Sequence, residues 1–328
     1  MQLRERSLKI EPALLDRFRA DLDLLVPSDA RIGLAVSGGP DSLALLLLTA
    51  AARPERVEAA TIDHALRPEA RSEAEMVGDI CANLGVAHTI LTARWSEVPE
   101  TAIQERARNQ RYLLLGYWAE ERMLGAIATA HHADDQAETV LMRLARGSGV
   151  RGLAGMRRRS STPGSHVRLV RPLLGWRRAE LEEICAAGGL TPIADPSNHD
   201  KRFERVRIRN ALNAAQWLDA AAVAHSAANL AEADAALEWA AKNEWRRSVQ
   251  EKRDLIVYRS ADAPAEIVRR ILGRAIRTLA SEGELELRGR ELDQLMSALR
   301  SGGEATLRGV HCKGGIEWRF APAPARRS

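Results

Sequence analysis

The chain has 328 residues, 45% of them hydrophobic and 28% charged, with a net charge of +4. That length exceeds one typical domain, so two or more are expected, and no apolar run approaches the ~20 residues of a membrane span. The charged N-terminus, Met1 to Lys9, lacks the apolar core of a secretory signal, so the expected location is the cytoplasm, away from membranes.

A first helix is predicted over Glu11–Leu25. The apolar run Ile32–Val36 then reads as a buried parallel strand, followed by Ser37-Gly38-Gly39-Pro40-Asp41-Ser42 and a leucine-rich helix. Glycine permits close backbone approach to a ligand. A helix N-terminus presents unpaired N–H groups and a positive dipole end, so this junction suits an anion such as phosphate. Asp41 is the odd member, fitting either a helix cap or a metal-bridged phosphate. No Gly-Lys-Ser/Thr follows the glycines, which excludes a Walker-type loop. The hexapeptide resembles the Ser-Gly-Gly-x-Asp-Ser loop of the N-type ATP pyrophosphatases.

Strands are predicted at Val57–Ile62, Val86–Leu91 and Ala126–Ala130, with helices at Ala70–Leu84, Ala102–Leu124 and from His131 to Arg146. Strands alternating with helices predict an α/β fold, a doubly wound parallel sheet. Open sheets of this kind bind ligands beyond the carboxyl ends of their strands. Three polar loops fall there: Ser37–Ser42, Asp63-His64-Ala65-Leu66-Arg67, and His131-His132-Ala133-Asp134-Asp135-Gln136-Ala137-Glu138. Asp135 and Glu138, three apart on a helix, face the same way and suit a cation, either magnesium or a substrate ammonium. Asp134 and Asp135 also suit helix capping. Adjacent histidines do not point together on a regular element, which argues against zinc at His131/His132. Arg108 and Arg111 share a helical face that is either a phosphate or nucleobase clamp or simply solvated.

Beyond Gly152 the pattern changes. Arg157–Gly164 reads as a mobile basic loop, Val167–Pro172 as a short strand and Arg177–Ala187 as a helix. Between Arg157 and Arg209 there are twelve Lys/Arg against six Asp/Glu, an excess above the net charge of the whole chain. A basic stripe on a nearly balanced protein suggests a polyanionic partner. An alanine-rich helix, Asp219–Arg247, reads as a linker. A small α+β domain follows: a strand at Leu255–Tyr258, helices at Ala265–Ser281 and Gly289–Leu299, and strands at Ala305–Leu307, Val310–Lys313 and Ile316–Arg319. The expected division is a catalytic domain over 1–215, a helical linker over 216–250, the small domain over 251–322 and a disordered tail over 323–328. Cys81, Cys185 and Cys312 are far apart with no Cys-x-x-Cys pair, arguing against an all-cysteine metal site.

In order and spacing, residues 30–215 resemble the tRNA(Ile)-lysidine synthetase family. The matching motifs are the 37–42 loop, Asp63–Arg67, Ala107-Arg108-Asn109-Gln110-Arg111-Tyr112, Thr129–Thr139, Arg146–Gly149, Gly152–Met156, Arg171–Leu174, Asp195-Pro196-Ser197-Asn198 and Arg205–Asn210. Val206 and Asn210 stand where members commonly carry Asn and His, and the second C-terminal domain of longer members is expected to be missing. The resemblance implies an ATP-dependent ligase with Mg2+. It would join free L-lysine to C2 of the wobble cytidine of tRNA(Ile) with a CAU anticodon through an adenylated cytidine, and a homodimer is compatible with it. Ser37, Gly38, Gly39, Pro40, Asp41 and Ser42 would hold ATP, with Asp41 toward magnesium. Asp135 and Glu138 would bind lysine. Asp41, Asp63, His131, His132 and Asp135 would serve the chemistry, the proton acceptor being a carboxylate or either histidine. His64, Arg67, Arg108, Arg111, Arg205, Arg207 and Arg209 would face nucleotide or tRNA, and the small C-terminal domain would bind tRNA. The alternatives are a tRNA cytidine thiolase of the same superfamily, an amidotransferase-like synthetase and a non-catalytic nucleotide-binding module.

Overall fold

The computed structural model describes residues 10–65, 69–93, 95, 103–193, 202, 204–215, 217–259, 262–280 and 287–324, with no side chains for 103–105. Arg67 and the Asp195–Asn198 motif lie outside the described residues. The chain divides into two compact units, 1–145 with 155–227, and 146–154 with 228–328.

In the first unit, helix α1 (Pro12–Asp23) precedes strand β1 (Ile32–Ala35), helix α2 (Pro40–Ala52), strand β2 (Val57–Asp63), helix α3 (Glu69–Leu84) and strand β3 (Ala87–Thr92). Helix α4 (Ile103–Glu121), strand β4 (Ala126–Ala128) and helix α5 (Ala133–Ala145) follow. The sheet order is β3-β2-β1-β4-β6-β5, where β5 is Arg159–Thr162 and β6 is Ser165–Val170. The pairs β3/β2, β2/β1, β1/β4 and β4/β6 are parallel. Crossovers of this kind put helices on both faces, so the central strands are apolar throughout rather than alternating. The four residues of β1 are all buried, as is α2 from Ser42 to Thr49. One face carries a core built from Phe18, Leu34, Leu45, Val77, Trp176 and Ile184; on the other, Tyr112, Leu115 and Trp118 of α4 pack against Ala35, Ala60 and Ile127. Helix α7 (Arg178–Ala187) joins the first face, and α8 (Glu204–Ala214) packs against α5.

One expectation is corrected at the edge of this sheet. The basic segment Arg157–Gly164 is no mobile loop: β5 pairs antiparallel with β6, the turn falling at Pro163-Gly164. The expected parallel sheet is observed, with β5 added as an antiparallel edge. Arg171 Nη1 donates to Arg157 O (2.7 Å) and Ser160 Oγ (3.1 Å), which ties the charged strand down.

Helix α9 (Ala220–Ser248) runs from one unit into the other. The second unit holds the short helix α6 (Val150–Leu153), strands β7 (Val249–Lys252) and β8 (Leu255–Tyr258), helices α10 (Ala265–Leu279) and α11 (Gly289–Arg300), and strands β9 (Glu304–Leu307), β10 (Val310–Lys313) and β11 (Trp318–Pro322). Its antiparallel sheet, β7-β8-β11-β10-β9, forms a core with the two helices through Tyr258, Ile271, Leu272, Leu299 and Phe320. The last strand begins two residues later than predicted, because Ile316 is 99% exposed in the turn and Trp318 and Phe320 carry the buried alternation. Among the described residues no helix is long and apolar enough to cross a membrane.

Candidate active site

The Ser37–Ser42 loop leaves β1 and enters α2 with Gly39 as N-cap and Pro40 at the first helical position. Proline there gives up an N–H that has no helical partner anyway. Gly38 has φ +84°, and a Cβ on it would lie 2.2 Å from Ile193 Cδ1. The Ile193 N–H also donates to Gly38 O at 2.9 Å. Glycine is required here on both counts, conformation and space. Ser42 Oγ donates to Gly39 O (2.9 Å) and accepts from the Ser37 N–H (3.1 Å), so the loop is braced internally. With no side-chain cap, the first amides of α2 remain available to an anion.

His132, 3% exposed, sits among three carboxylates. Its Nε2 is 3.6 Å from Asp41 Oδ2 and 3.5 Å from Asp135 Oδ2, and its Nδ1 is 3.5 Å from Asp134 Oδ2. Burial opposes its charge, but Asp134, Asp41 and Asp135 outweigh burial and raise its pKa to about 10. His132 is therefore an imidazolium at neutral pH. Asp134 is likewise opposed by burial. Its contact with His132 and the N–H of Arg178, 2.9 Å away at the start of α7, bring its pKa down to about 2. Asp41 Oδ1 is buried with no hydrogen-bond partner among the described residues. An orphaned carboxylate oxygen beside a phosphate-type loop fits a hard cation with oxygen ligands.

His131 is the opposite case. Its Nδ1 lies 2.9 Å from Thr129 Oγ1, and burial, then Arg171, Arg111, Arg205 and Arg108, hold its pKa well below the ordinary value. It is neutral at physiological pH. The same arginines bring the predicted groups together. Arg108 and Arg111 lie over the Tyr112 ring at 5.2 and 6.0 Å from its centroid. Arg111 also lowers the pKa of His64, after burial. Asp63 accepts the Ala65 N–H at 2.8 Å, a local turn bond that fixes the second loop, and His64 Nδ1 is buried without a partner among the described residues.

Asp135 and Glu138 lie on one face of α5, as their spacing predicts, and both already hold cations. Arg205 Nη2 donates to Asp135 Oδ1 at 2.7 Å, Arg205 Nε donates to Glu138 Oε2, and Arg209 Nε donates to Glu138 Oε1 at 2.6 Å. The Glu138 side chain is 2% exposed. Arg205 and Arg209 thus face acids of their own chain. Arg207 is exposed on α8 and donates to Arg202 O (3.1 Å), apart from the acid pair. Val206 is buried, so an apolar residue suits that position. Sequence reasoning missed Arg171 as a site group: it is 6% exposed, its Nε has no partner among the described residues, and it contributes to the field around His131. Its signal was present in the Arg171–Leu174 motif. Cys81, Cys185 and Cys312 are each buried, with pKa values raised by burial to about 12, 11 and 12, and among the described residues no cluster could hold a metal through three or more His, Cys, Asp or Glu side chains.

A mostly parallel sheet with a Ser-Gly-Gly loop at the carboxyl end of β1, faced by polar loops from β2 and β4, defines a PP-loop nucleotide-binding protein, and the PP-loop domain family matches residues 13–216. Over 316 residues the chain is 49% identical to the tRNA(Ile)-lysidine synthase of Novosphingobium aromaticivorans, covering 95% of this chain and 94% of that one. It is 42% identical to the tRNA(Ile)-lysidine synthase of Zymomonas mobilis over 303 residues, 92% and 91% of the two chains. The chain belongs to the tRNA(Ile)-lysidine synthase family. Among solved structures, the U34-tRNA thiolase of Methanococcus maripaludis has a TM-score of 0.56 at 16% identity over 66% of this chain and 76% of that one, a likeness of fold.

Proposed function

We propose that the protein is a cytoplasmic ligase that joins free L-lysine to C2 of the wobble cytidine of the tRNA(Ile) with a CAU anticodon, converting ATP to AMP and pyrophosphate. The C2 oxygen attacks the α-phosphate of ATP, pyrophosphate leaves, and the lysine ε-amine then displaces AMP from C2. The product pairs with A instead of G, which moves the codon from AUG to AUA.

One feature carries the lysine assignment: Asp135 and Glu138 present two carboxylates on the helix that opens beside the nucleotide loop. The lysine ammonium competes there with the Arg205 guanidinium, which now spans both acids. The loop amides, Ser37 and Ser42 receive the ATP phosphates, since preorganised donors best stabilise charge that grows in the transition state. Asp41, through its unpartnered Oδ1, is the group that would hold Mg2+, which supplies charge neutralisation at the phosphates. His132 locks Asp41, Asp134 and Asp135 in place and, already protonated, is no proton acceptor at neutral pH. His131, neutral, or a carboxylate of the pair takes the proton that lysine must lose before attack. Asp63 fixes the β2 loop, and nucleotide contact is assigned to His64 and Arg67. Arg108, Arg111 and Arg171 supply the positive field for RNA or nucleotide phosphate, and the unit beyond Ala228 binds tRNA.

Incubation with ATP, lysine and the CAU-anticodon tRNA transcript, followed by digestion and nucleoside mass measurement, should give a lysine-sized addition to cytidine. Its absence would sink the assignment. Asp135→Ala should raise the KM for lysine at least ten-fold while ATP binding persists, and equal loss of both would remove Asp135 from the lysine site.

A further inference from the structure

The second unit contains a cavity of about 390 Å3 that the ligase chemistry leaves without a role. Five of its eight lining residues are Arg or Lys, and only Glu238 is acidic. That acid is already engaged. Arg270 contacts Glu238 at 3.3 Å, together with Asp234 (2.6 Å) and Glu266 (3.0 Å), so Arg270 is fully compensated by acids of its own chain. Arg151, Lys242, Arg274 and Arg277 remain, with no ion pair among the described residues. They come from three places in the chain: α6, α9 and α10.

This accumulation is costly in isolation. Arg270, Arg274 and Arg277 recur at helical spacing on α10, where like charges repel. Arg277 is held below its ordinary pKa by burial and then by Arg151, against the opposing pull of Glu238. The Arg274 guanidinium is stacked 4.2 Å from the centroid of the Trp245 ring, which orders it before any ligand arrives. Trp245 is thereby covered, so the cavity offers no aromatic face to a base. Four cations facing the single acid Glu238, which Arg270 also holds, in a cavity of ligand size, recognise phosphate rather than nucleobase. The continuing face of α9 supports a long polyanion over a small one. Lys242 is flanked at helical spacing by Arg246 and by Trp239, which is 69% exposed, a basic and aromatic stripe of the kind that tracks an RNA strand.

We propose that this cavity is a phosphodiester-binding site for the RNA substrate, in which Arg151, Lys242, Arg274 and Arg277 hold backbone phosphate oxygens of the tRNA. This rests on the tRNA reading above and adds to it a site in the second unit. It also gives a purpose to residues 146–154, which leave the catalytic unit in the middle of its sequence and bring Arg151 to the cavity.

The test uses the full chain and the CAU-anticodon tRNA transcript, with affinity measured by fluorescence anisotropy across a KCl series. R274Q/R277Q should weaken binding about ten-fold and lower the slope of log K against log salt by about 2, roughly one per phosphate contact removed. R274K/R277K, which keeps both charges, should retain most of the affinity. The melting temperature of R274Q/R277Q should shift by only a few degrees, relief of repulsion offsetting the lost Arg274–Trp245 stack. A folded R274Q/R277Q with wild-type affinity and salt slope would overturn the proposal. So would a wild-type protein whose melting temperature rises with inorganic phosphate or pyrophosphate while its tRNA affinity ignores both substitutions, because the site would then serve a free phosphate. Lysidine formation is scored separately. RNA affinity lost in the variant of a wild type that makes no lysidine keeps this site and removes the ligase reading, and the converse pair of results does the reverse.

Discussion

Charge is concentrated in two regions of this molecule and handled in opposite ways. Around the nucleotide loop, Asp41, Asp134, Asp135 and Glu138 interleave with His132, Arg205 and Arg209, and every one of these groups faces an opposite charge within 3.6 Å. In the cavity of the second unit, Arg151, Lys242, Arg274 and Arg277 accumulate with Arg277 and Arg151 in mutual repulsion. A balanced network fixes geometry, because each member is oriented by partners of its own chain. An unbalanced one leaves its field for something outside. The first arrangement belongs where atoms must be placed for reaction, the second where a polyanion must be held.

The balance can be broken most severely at Glu138. Glu138→Ala leaves Arg209 without its acid and Arg205 with Asp135 alone, and the two lost charge-assisted hydrogen bonds together cost about 3 kcal/mol. Chemical denaturation should show that loss, with lysine use abolished. A variant as stable as the wild type would mean that the network orders nothing.

A pH-dependent effect follows from His132. Its folded pKa of about 10 lies above the ordinary 6.5, so its stabilisation is complete below about 6.5 and is lost as pH rises toward 10. Asp134, at about 2 against 3.8, contributes fully above 3.8 and loses its share as pH falls toward 2. The two together give a plateau between about pH 4 and 6.5. His132→Gln should flatten the alkaline decline in denaturation midpoint between pH 7 and 10. Parallel wild-type and variant profiles over that range would show that His132 carries no such charge.

The smallest expected change sharpens the other side of the contrast. Glu238→Gln removes the one acid of the cavity, yet Arg270 keeps Asp234 and Glu266. Stability should change by less than about 1 kcal/mol, and tRNA affinity should rise two- to three-fold at low salt. Weaker binding would count against a repulsive role for Glu238 at that site.

Most of the first unit was readable because its signals are local. The apolar run Ile32–Val36, the glycine pair and the leucine-rich helix sit within seventeen residues, and the spacing of Asp135 and Glu138 is a property of one helix. Strand β5 was not readable, since Arg159-Ser160-Ser161-Thr162 has no apolar alternation and is held by β6 and Arg171. Strand β7 escaped notice because it follows α9 with no breaking residue between them. The partners of Glu138 lie 67 and 71 residues away, beyond any local pattern, so a basic cluster that looked outward proved partly to face inward. The two adjacent histidines are identical as letters. Only burial among three carboxylates, against burial among four arginines, makes one a cation and the other neutral.

The excursion of residues 146–154 out of the catalytic unit bears on modularity. The second unit is not a bead strung after the first. Its polypeptide is discontinuous, and a fragment starting at Ala228 would carry the antiparallel sheet and both helices but lack α6 and Arg151. Gene fusion or truncation at the α9 boundary therefore cannot transfer this unit whole, and recombination that preserves it must carry the middle of the catalytic sequence along with it.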